Sequence, residues 1–441
     1  MKRLLILAYD FPPYVSVGGL RPYAWYRYLK EYGVEPIVVT RQWGNKYGNE
    51  LDYIAPSESK ETIVEETEYG TIIRTPYKPN LANRLMLKYG KGKFSLLRKL
   101  ITAWYEFMQF IFFVGPKSGV YCGAKKYLKT NKVDAIIATG EPFILFKYAS
   151  SLSKKYGVPW LADYRDPWSQ NKNRSKFSGR WNKYFEKKFT ANTECVVTVS
   201  DFCKIQIETN VHKSFHIISN GYNPDAINAV SDIKQGGDCL RFAFVGTIYS
   251  WHPYKSVILT FVEFIQKSNL DIKIELNFFG INRHEKIRQI ARENNIEEYI
   301  HVYPRMDNAC LLENLCKQNV MLLFNDYSIM GTKIYDYLGL KRNILLCYSD
   351  DEDAKLLKEK FYPIKEVEGL STHLQEDLIN QTHSGIVAKD KTHLEQILVD
   401  LYAEFVRMGS IECCSVDVDR FSRREGVRSL AEIIKNITLL K

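Results

Sequence analysis

The sequence lacks a hydrophobic run long enough to cross a membrane. The aromatic run from Ile101 to Val114 is shorter than the roughly 20 apolar residues that a spanning helix needs. The first residues, Met1 to Ala8, imitate a signal peptide, but their apolar part is five residues long and Asp10 follows it closely. We therefore expect a buried first strand there and no spanning helix.

Motifs for metals, redox chemistry and dinucleotides are also lacking. The nine cysteines form no CxxC pair and no Cys/His ligand spacing, which indicates reduced thiols and a cytosolic protein. Two acidic clusters, Asp350 to Asp353 and Asp417 to Asp419, are better explained as a solvated turn and a strand-end or linker feature than as metal ligands. No GxGxxG fingerprint follows the first strand. We expect no metal and no cofactor.

Acidic residues are scarce in the first half of the chain. Through Tyr222 there are 34 Lys and Arg against 19 acids, whereas the remainder has 27 against 32. From Lys78 to Lys132, twelve basic residues and one acid, Glu106, surround the aromatic run. This pattern favours contact with an anionic membrane surface, and a core helix flanked by solvated lysines is the alternative. No RNA-binding signature is present, so nucleic acid is not an expected partner.

The sequence does contain short apolar runs that alternate with amphipathic helices. Strands at Leu4 to Ala8 and Pro36 to Thr40 flank a helix predicted from Leu20 to Tyr32, which is a βαβ opening. A second α/β unit begins at Leu240. We therefore predict the α/β class and two Rossmann-like domains that face a cleft, with a C-terminal helix returning to the first domain. The predicted bounds are 1–222, a linker over 223–239, 240–418, and the helix over 419–441.

The stretch from Gly331 to Leu340 lies between two apolar runs that are typical of buried parallel strands. It predicts a loop and a crossover helix that begins near Thr332. A helix start offers free N–H groups and the positive end of a dipole to a phosphate. Lys333 adds a positive charge, and Asp336 adds a carboxylate for sugar hydroxyls. The pattern favours a nucleotide-sugar site, although an ordinary βα crossover would also produce it.

This stretch resembles the donor-site motif of retaining GT-B glycosyltransferases, in particular those similar to glycosyltransferase family 4 from bacterial surface polysaccharide synthesis. Asp336 falls where that family has a Glu expected to hold the ribose, whereas Ser328 stands where it often has another Glu. Thr247 replaces a family Arg, and Lys255 stands in for a family Lys. The resemblance implies donor contacts from Gly18, Gly19, Arg21, Thr247, Lys255, Arg305, Thr332, Lys333 and Asp336.

A second motif, from Asp163 to Trp168, follows a predicted strand, at the end where α/β sheets bind ligands. It resembles a motif of bacterial members of the same family, and a structural Asp–Arg pair is the alternative. All eight histidines lie after Val211, and Gly140 stands where some members have a His. The candidate catalytic carboxylates on the acceptor side are then Glu141, Asp163 and Asp166.

The resemblance implies transfer of a sugar, with retention, from a nucleotide sugar to a lipid-linked or growing glycan in surface polysaccharide synthesis. The expected place is the cytoplasmic face of the cell membrane, reached through residues 78–132. An inverting transferase, a nucleotide-sugar epimerase or an inactive glycan-binding scaffold are the alternatives. Thr247 and Ser328 favour the scaffold slightly, because both depart from the family pattern.

Overall fold

The computed structural model describes residues 1–44, 51–170, 176–268, 272–364 and 366–439. They form two compact units. Unit 1 comprises Met1–Asn220 and Arg423–Lys441, and unit 2 comprises Gly221–Ser422. Each unit is built around one mainly parallel sheet with helices, so the predicted α/β class with two Rossmann-like domains is confirmed.

Unit 1 contains an eight-stranded sheet. Its strands are β1 (Lys2–Leu7), β2 (Val34–Arg41), β3 (Ile63–Glu66), β4 (Thr71–Thr75), β5 (Ala135–Thr139), β6 (Trp160–Tyr164), β7 (Cys195–Thr198) and β8 (Ser214–Ile217). Their order is β3-β4-β2-β1-β5-β6-β7-β8, and β3 pairs antiparallel with β4 while the other pairings are parallel. Leu5 and Leu7 pack in one core cluster and Leu4 and Ile6 in another, as the two-residue period of a strand requires.

The helices of unit 1 cover both faces of this sheet. They are α1 (Val17–Tyr28), α2 (Leu81–Tyr89), α3 (Ser95–Ile111), α4 (Ser118–Tyr127), α5 (Ile144–Tyr156), α6 (Lys176–Thr190) and α7 (Asp201–Glu208). The last helix of the chain also belongs to unit 1, where Leu430 and Ile434 are fully buried in the same cluster as Leu4 and Ile6. The predicted return of the C-terminal helix to the first domain is therefore confirmed.

Unit 2 contains a six-stranded parallel sheet. Its strands are β9 (Leu240–Val245), β10 (Ile274–Phe279), β11 (Ile300–Tyr303), β12 (Val320–Phe324), β13 (Asn343–Cys347) and β14 (Gly385–Ala388). Their order is β11-β10-β9-β12-β13-β14. The helices that follow are α8 (Pro224–Asn228), α9 (Tyr254–Lys267), α10 (His284–Glu293), α11 (Asn308–Cys316), α12 (Lys333–Leu340), α13 (Glu352–Phe361), α14 (Leu374–Thr382) and α15 (Lys391–Met408), and α16 (Arg423–Leu439) closes the chain in unit 1.

Two predicted boundaries differ from the structure. Helix α1 begins at Val17, earlier than expected, because the Ser16 side chain accepts a hydrogen bond from the Gly19 N–H and caps it. The segment predicted as a linker, 223–239, belongs to unit 2. It contains α8. Two of its apolar side chains, Ile227 and Val230, are buried in the unit 2 core and anchor the segment there. The polar composition of the segment did not indicate this burial.

Candidate functional site

The carboxyl edge of the unit 2 sheet carries a candidate donor site. Here α12 begins after the loop that leaves β12, as predicted. The N-cap residue, Thr332, forms no side-chain hydrogen bond with the first turn. The start of α12 therefore keeps the electropositive character that suits an anion.

Tyr337 and Gly246 together fix the position of Lys333. The Tyr337 hydroxyl accepts a hydrogen bond of 3.1 Å from the Val245 N–H, which anchors α12 to the end of β9. Lys333 lies one turn earlier on the same helix face, and the end of its side chain lies over Gly246. A Cβ at this position would overlap the lysine, and the φ of +88° also disfavours other residues. Gly246 is therefore required for this approach.

The Lys333 ammonium is a mostly buried cation. Burial lowers its pKa, while the nearby Asp336 carboxylate raises it and Arg305 lowers it. Among the residues that the structure describes, no carboxylate lies within ion-pair distance of the Lys333 Nζ. A desolvated cation at a helix start that forms no ion pair is suited to a phosphate.

The other predicted donor residues of unit 2 occupy neighbouring loops. Thr247 directly follows Gly246 and is exposed. Arg305 follows β11 and is also exposed. The Arg305 backbone lies beside Gly280, since a Cβ added to Gly280 would be 3.5 Å from the Arg305 Cα. Asp336 is half-buried, and Lys255 is exposed in the first turn of α9. The structure therefore brings Arg305, Lys333 and Asp336 close enough to interact electrostatically.

Unit 1 has its own candidate site, a cavity of about 780 Å³ at the carboxyl edge of its sheet. Three predicted residues, Gly18, Glu141 and Asp166, line it. The cavity also has basic, aromatic and acidic side chains that were not among the predicted site residues, including Lys117, Arg165, Trp168, Trp181, Glu106 and Asp10. Arg165 joins two of its loops, because its guanidinium donates to the Gly140 and Glu141 carbonyls at 2.8 and 3.0 Å.

Two predicted residues, Arg21 and Asp163, are not part of this cavity wall. The Arg21 Nε donates to the Asp163 Oδ1 at 2.9 Å, and the Thr139 hydroxyl donates to the Asp163 Oδ2 at 2.8 Å. Asp163 is completely buried and Arg21 is 8% exposed. Arg21 and Asp163 therefore form an internal ion pair, which is the structural alternative to the motif. The donor role of Arg21 and the catalytic role of Asp163 stay predictions.

Gly19 is likewise buried, beside the Asp10 backbone. Asp10 itself is a cavity residue that the sequence analysis missed. Burial raises the pKa of its carboxyl group. The hydrogen bond from Ser16 and the nearby cations lower this pKa, but their effect is smaller than that of burial. Its Oδ2 accepts a 2.7 Å hydrogen bond from Ser16, and its Oδ1 is buried without a partner among the described residues. Its position directly after β1, at the ligand-binding edge of the sheet, was the available signal.

The basic segment from Lys78 to Lys132 forms α2, α3 and α4. The two parts of α3 have different surroundings. Glu106, Phe107 and Phe110 in its C-terminal half line the cavity, whereas apolar side chains in its N-terminal part, in α2 and in the turn between these helices are exposed. We call this exposed set the apolar hairpin face: Leu87, Phe94, Leu96, Leu97, Leu100 and Trp104, which are 38–74% exposed.

The described residues bear on two of the expectations, those about a membrane-spanning helix and a metal site. Within the described ranges, no helix has both the length and the apolar composition that crossing a membrane would need. In the same part of the chain, no three His, Cys, Asp or Glu side chains are grouped so that they could hold a metal ion.

Comparison with known proteins places this arrangement in a family context. Residues 22–226 match the family model described as Glycosyltransferase Family 4. A glycosyltransferase from Rickettsia africae ESF-5 is 15% identical, with a TM-score of 0.51 over 99% of this chain and 98% of that chain. None of the curated protein sequences compared with the chain matches it.

Two further solved structures have the same fold. One, from E. coli, is described as trehalose-6-phosphate bound with UDP-2-fluoro glucose and is 12% identical, with a TM-score of 0.53 over 100% of this chain and 98% of that chain. The other, a trehalose-6-phosphate synthase from work on glycosyltransfer with retention, is 11% identical, with a TM-score of 0.54 over 99% of each chain. Together with the family match over most of unit 1, these findings identify the chain as a glycosyltransferase with the GT-B fold.

Proposed function

We propose that this glycosyltransferase moves a sugar, with retention of its anomeric configuration, from a nucleotide sugar to a lipid-linked or growing glycan in surface polysaccharide synthesis. The observation that carries the donor side is the mostly buried Lys333 ammonium, which lies over Gly246 at the start of α12 and forms no ion pair with any described residue. The similarity to a fold that is described with UDP-2-fluoro glucose supports this donor class.

On the donor side, Lys333 and the start of α12 bind the diphosphate, and Asp336 accepts from ribose hydroxyls. Charge accumulates on the diphosphate as the bond between the anomeric carbon and the phosphate oxygen breaks. Lys333 and the helix dipole stabilise that charge, since both are fixed before the reaction. The acceptor oxygen forms the new glycosidic bond from the same face, and its proton passes to the departing phosphate.

On the acceptor side, the unit 1 cavity receives the glycan. Glu141, Asp166 and Asp10 provide oxygens that accept hydrogen bonds from sugar hydroxyls, and the Trp168 and Trp181 rings provide apolar surface for sugar C–H groups. Lys117 and Arg165 add positive charge, which suits a phosphate that links the glycan to a lipid. A cavity with carboxylates, aromatic rings and cations fits such an acceptor better than a purely apolar ligand.

The apolar hairpin face supports the proposal that the acceptor is bound at a membrane. The apolar hairpin face lies among four exposed lysines, Lys88, Lys91, Lys93 and Lys99. We therefore propose that this face contacts an anionic lipid surface rather than a protein. The C-terminal half of α3 lines the cavity. A lipid-linked glycan would thus find its binding cavity beside the helix that contacts its own membrane.

The deciding experiment measures donor use directly. Purified protein is titrated by calorimetry with UDP, GDP, ADP and their sugar conjugates, and the nucleotide sugar that binds is incubated with lipid-linked glycan acceptors. We expect one nucleotide class to bind, and transfer to give a product with the anomeric configuration of the donor. An inverted product would indicate an inverting enzyme, and folded protein that binds no nucleotide would overturn the proposal.

A further inference from the structure

Asp326 is a buried carboxylate at the carboxyl end of β12, 9% exposed. Among the described residues, hydrogen-bond partners contact one of its two oxygens. Its Oδ1 lies 2.8 Å from the His252 Nε2 and accepts a 3.2 Å hydrogen bond from the Trp251 Nε1. The His252 Nδ1 accepts from the Tyr249 N–H at 3.2 Å, so in the neutral ring the proton lies on Nε2 and is donated to Asp326. His252 and Trp251 therefore hold the carboxylate in one orientation.

The second oxygen of Asp326 faces the donor site. Its Oδ2 forms no hydrogen bond with any residue in the described ranges, and it would lie 3.7 Å from a Cβ placed on Gly331. Gly331 precedes Thr332 and Lys333, the residues proposed to bind the diphosphate. A carboxylate oxygen that no protein group occupies keeps its capacity to accept a hydrogen bond from a ligand. A ligand hydroxyl beside the diphosphate would satisfy it.

An aromatic wall adjoins this oxygen. The Tyr249 ring stacks on the Trp251 ring with 4.4 Å between centroids and 4° between planes. Tyr249 is 41% exposed, whereas Trp251 is buried and bonded to Asp326. An aromatic face beside a fixed carboxylate suits a sugar ring, whose C–H groups pack on the ring while its hydroxyls donate to the carboxylate.

Ser328, which stands where the family often has a Glu, is buried. Ser328 is 4% exposed, and its N–H donates to the Tyr362 hydroxyl at 3.0 Å. That hydroxyl in turn donates to the Asp326 carbonyl at 2.9 Å. The loop is thus held with Ser328 inward, and Asp326, two residues earlier, is the carboxylate that this loop offers.

We propose that Asp326 is a sugar-binding residue, whose Oδ2 accepts a hydrogen bond from a hydroxyl of the transferred sugar while His252 and Trp251 fix its orientation. This inference rests on the proposed function and names the group that selects the sugar rather than the nucleotide. Sugars without a hydroxyl at the contacted position would then be poor donors, because Oδ2 would remain unpaired.

The test separates sugar binding from nucleotide binding. Asp326→Asn keeps an oxygen for His252 and Trp251 but replaces Oδ2 with an N–H₂ group that cannot accept. For the nucleotide class that binds wild-type protein, we expect the Kd of the nucleoside diphosphate to stay within about two-fold. The Kd of the nucleotide sugar should rise about ten-fold or more, as expected for a charge-assisted hydrogen bond. Asp353→Asn, which removes an exposed charge in the first turn of α13, is the control.

A second variant guards against a folding defect. Gly331→Ala places a methyl group at ordinary contact distance from Oδ2, so the fold should persist while the sugar loses space and binds several-fold more weakly. Equal changes for nucleotide and nucleotide sugar, or no change for either, would overturn the role of Asp326. Failure of wild-type protein to bind any nucleoside diphosphate would instead overturn the proposed function.

Discussion

Arg21 and Asp163, 142 positions apart in the sequence, form an ion pair inside unit 1 with 2.9 Å between Nε and Oδ1. The Arg21 Nη1 also donates to the Ile218 carbonyl at 2.8 Å. The pair therefore joins α1, β6 and the segment after β8, close to the point where the chain leaves unit 1. Its hydrogen bonds orient the base of the loop that carries Asp166 and Trp168 to the cavity.

Asp163→Asn should destabilise the protein. The substitution leaves the buried Arg21 charge without its counter-ion, which costs about 3–5 kcal/mol in comparable sites. Asp166→Asn, in the same loop but exposed, should change the free energy of unfolding by no more than about 0.5 kcal/mol and instead lower acceptor-dependent turnover. Urea unfolding and initial rates measure the two effects. Wild-type stability with lost activity in Asp163→Asn would restore a direct chemical role for Asp163.

Lys333→Met should weaken binding of the nucleoside diphosphate about ten-fold or more. The variant keeps the aliphatic packing over Gly246 but removes a charge-assisted hydrogen bond of roughly 1.5–3 kcal/mol. Lys341→Met, which removes an exposed charge just past the opposite end of α12, is the matched control and should bind normally. Calorimetric affinities that are equal for both variants would remove Lys333 from the donor site.

Nucleoside diphosphate binding should weaken as the pH rises into the alkaline range. The protonated Lys333 ammonium attracts phosphate, and burial lowers its pKa from the ordinary value. Deprotonation, and with it the loss of affinity, should therefore begin at a lower pH than for an exposed lysine. Titrations between pH 7 and 10 would show this slope in wild-type protein and a flatter one in Lys333→Met. Parallel slopes would assign the effect to another group.

Transfer activity should survive EDTA. In the proposed mechanism, the helix start and Lys333 meet the charge of the diphosphate, so a divalent ion is not needed for that purpose. Rates measured before and after dialysis against the chelator should agree. Activity that disappears and returns with Mg²⁺ or Mn²⁺ would count against this donor site.

The protein should bind anionic vesicles better than neutral ones, and less well at high salt. Each lysine or arginine near an anionic surface contributes about 1 kcal/mol, and salt screens that contribution. Replacing Lys88, Lys91, Lys93, Arg98 and Lys99 with Gln should weaken vesicle flotation while donor binding persists. Five exposed lysines elsewhere in unit 1, Lys154, Lys155, Lys183, Lys187 and Lys188, provide the control for total charge. Absence of flotation with either lipid would favour a soluble acceptor.

Local patterns predicted the fold and the donor helix well. The α12 start followed from two flanking apolar runs and a short polar motif, because all of these features lie within one βα unit. Tertiary pairing limited the prediction elsewhere. Arg21 and Asp163 are separated by 142 positions in the sequence. The second oxygen of Asp163 accepts a hydrogen bond from Thr139, which lies in a third segment of the chain. Asp326 could not be recognised for a similar reason, since its partners lie more than 70 positions earlier.

Helix α16 gives unit 1 an unusual order of assembly. Its apolar side chains complete a core that otherwise consists of residues before Asn220. During synthesis, therefore, all of unit 2 is made before unit 1 is complete. About 200 residues are added between the end of the N-terminal segment of unit 1 and the start of its last helix. A protein shortened before Arg423 would expose the apolar surface that α16 covers, so loss of a short tail should cause aggregation of the distant N-terminal half.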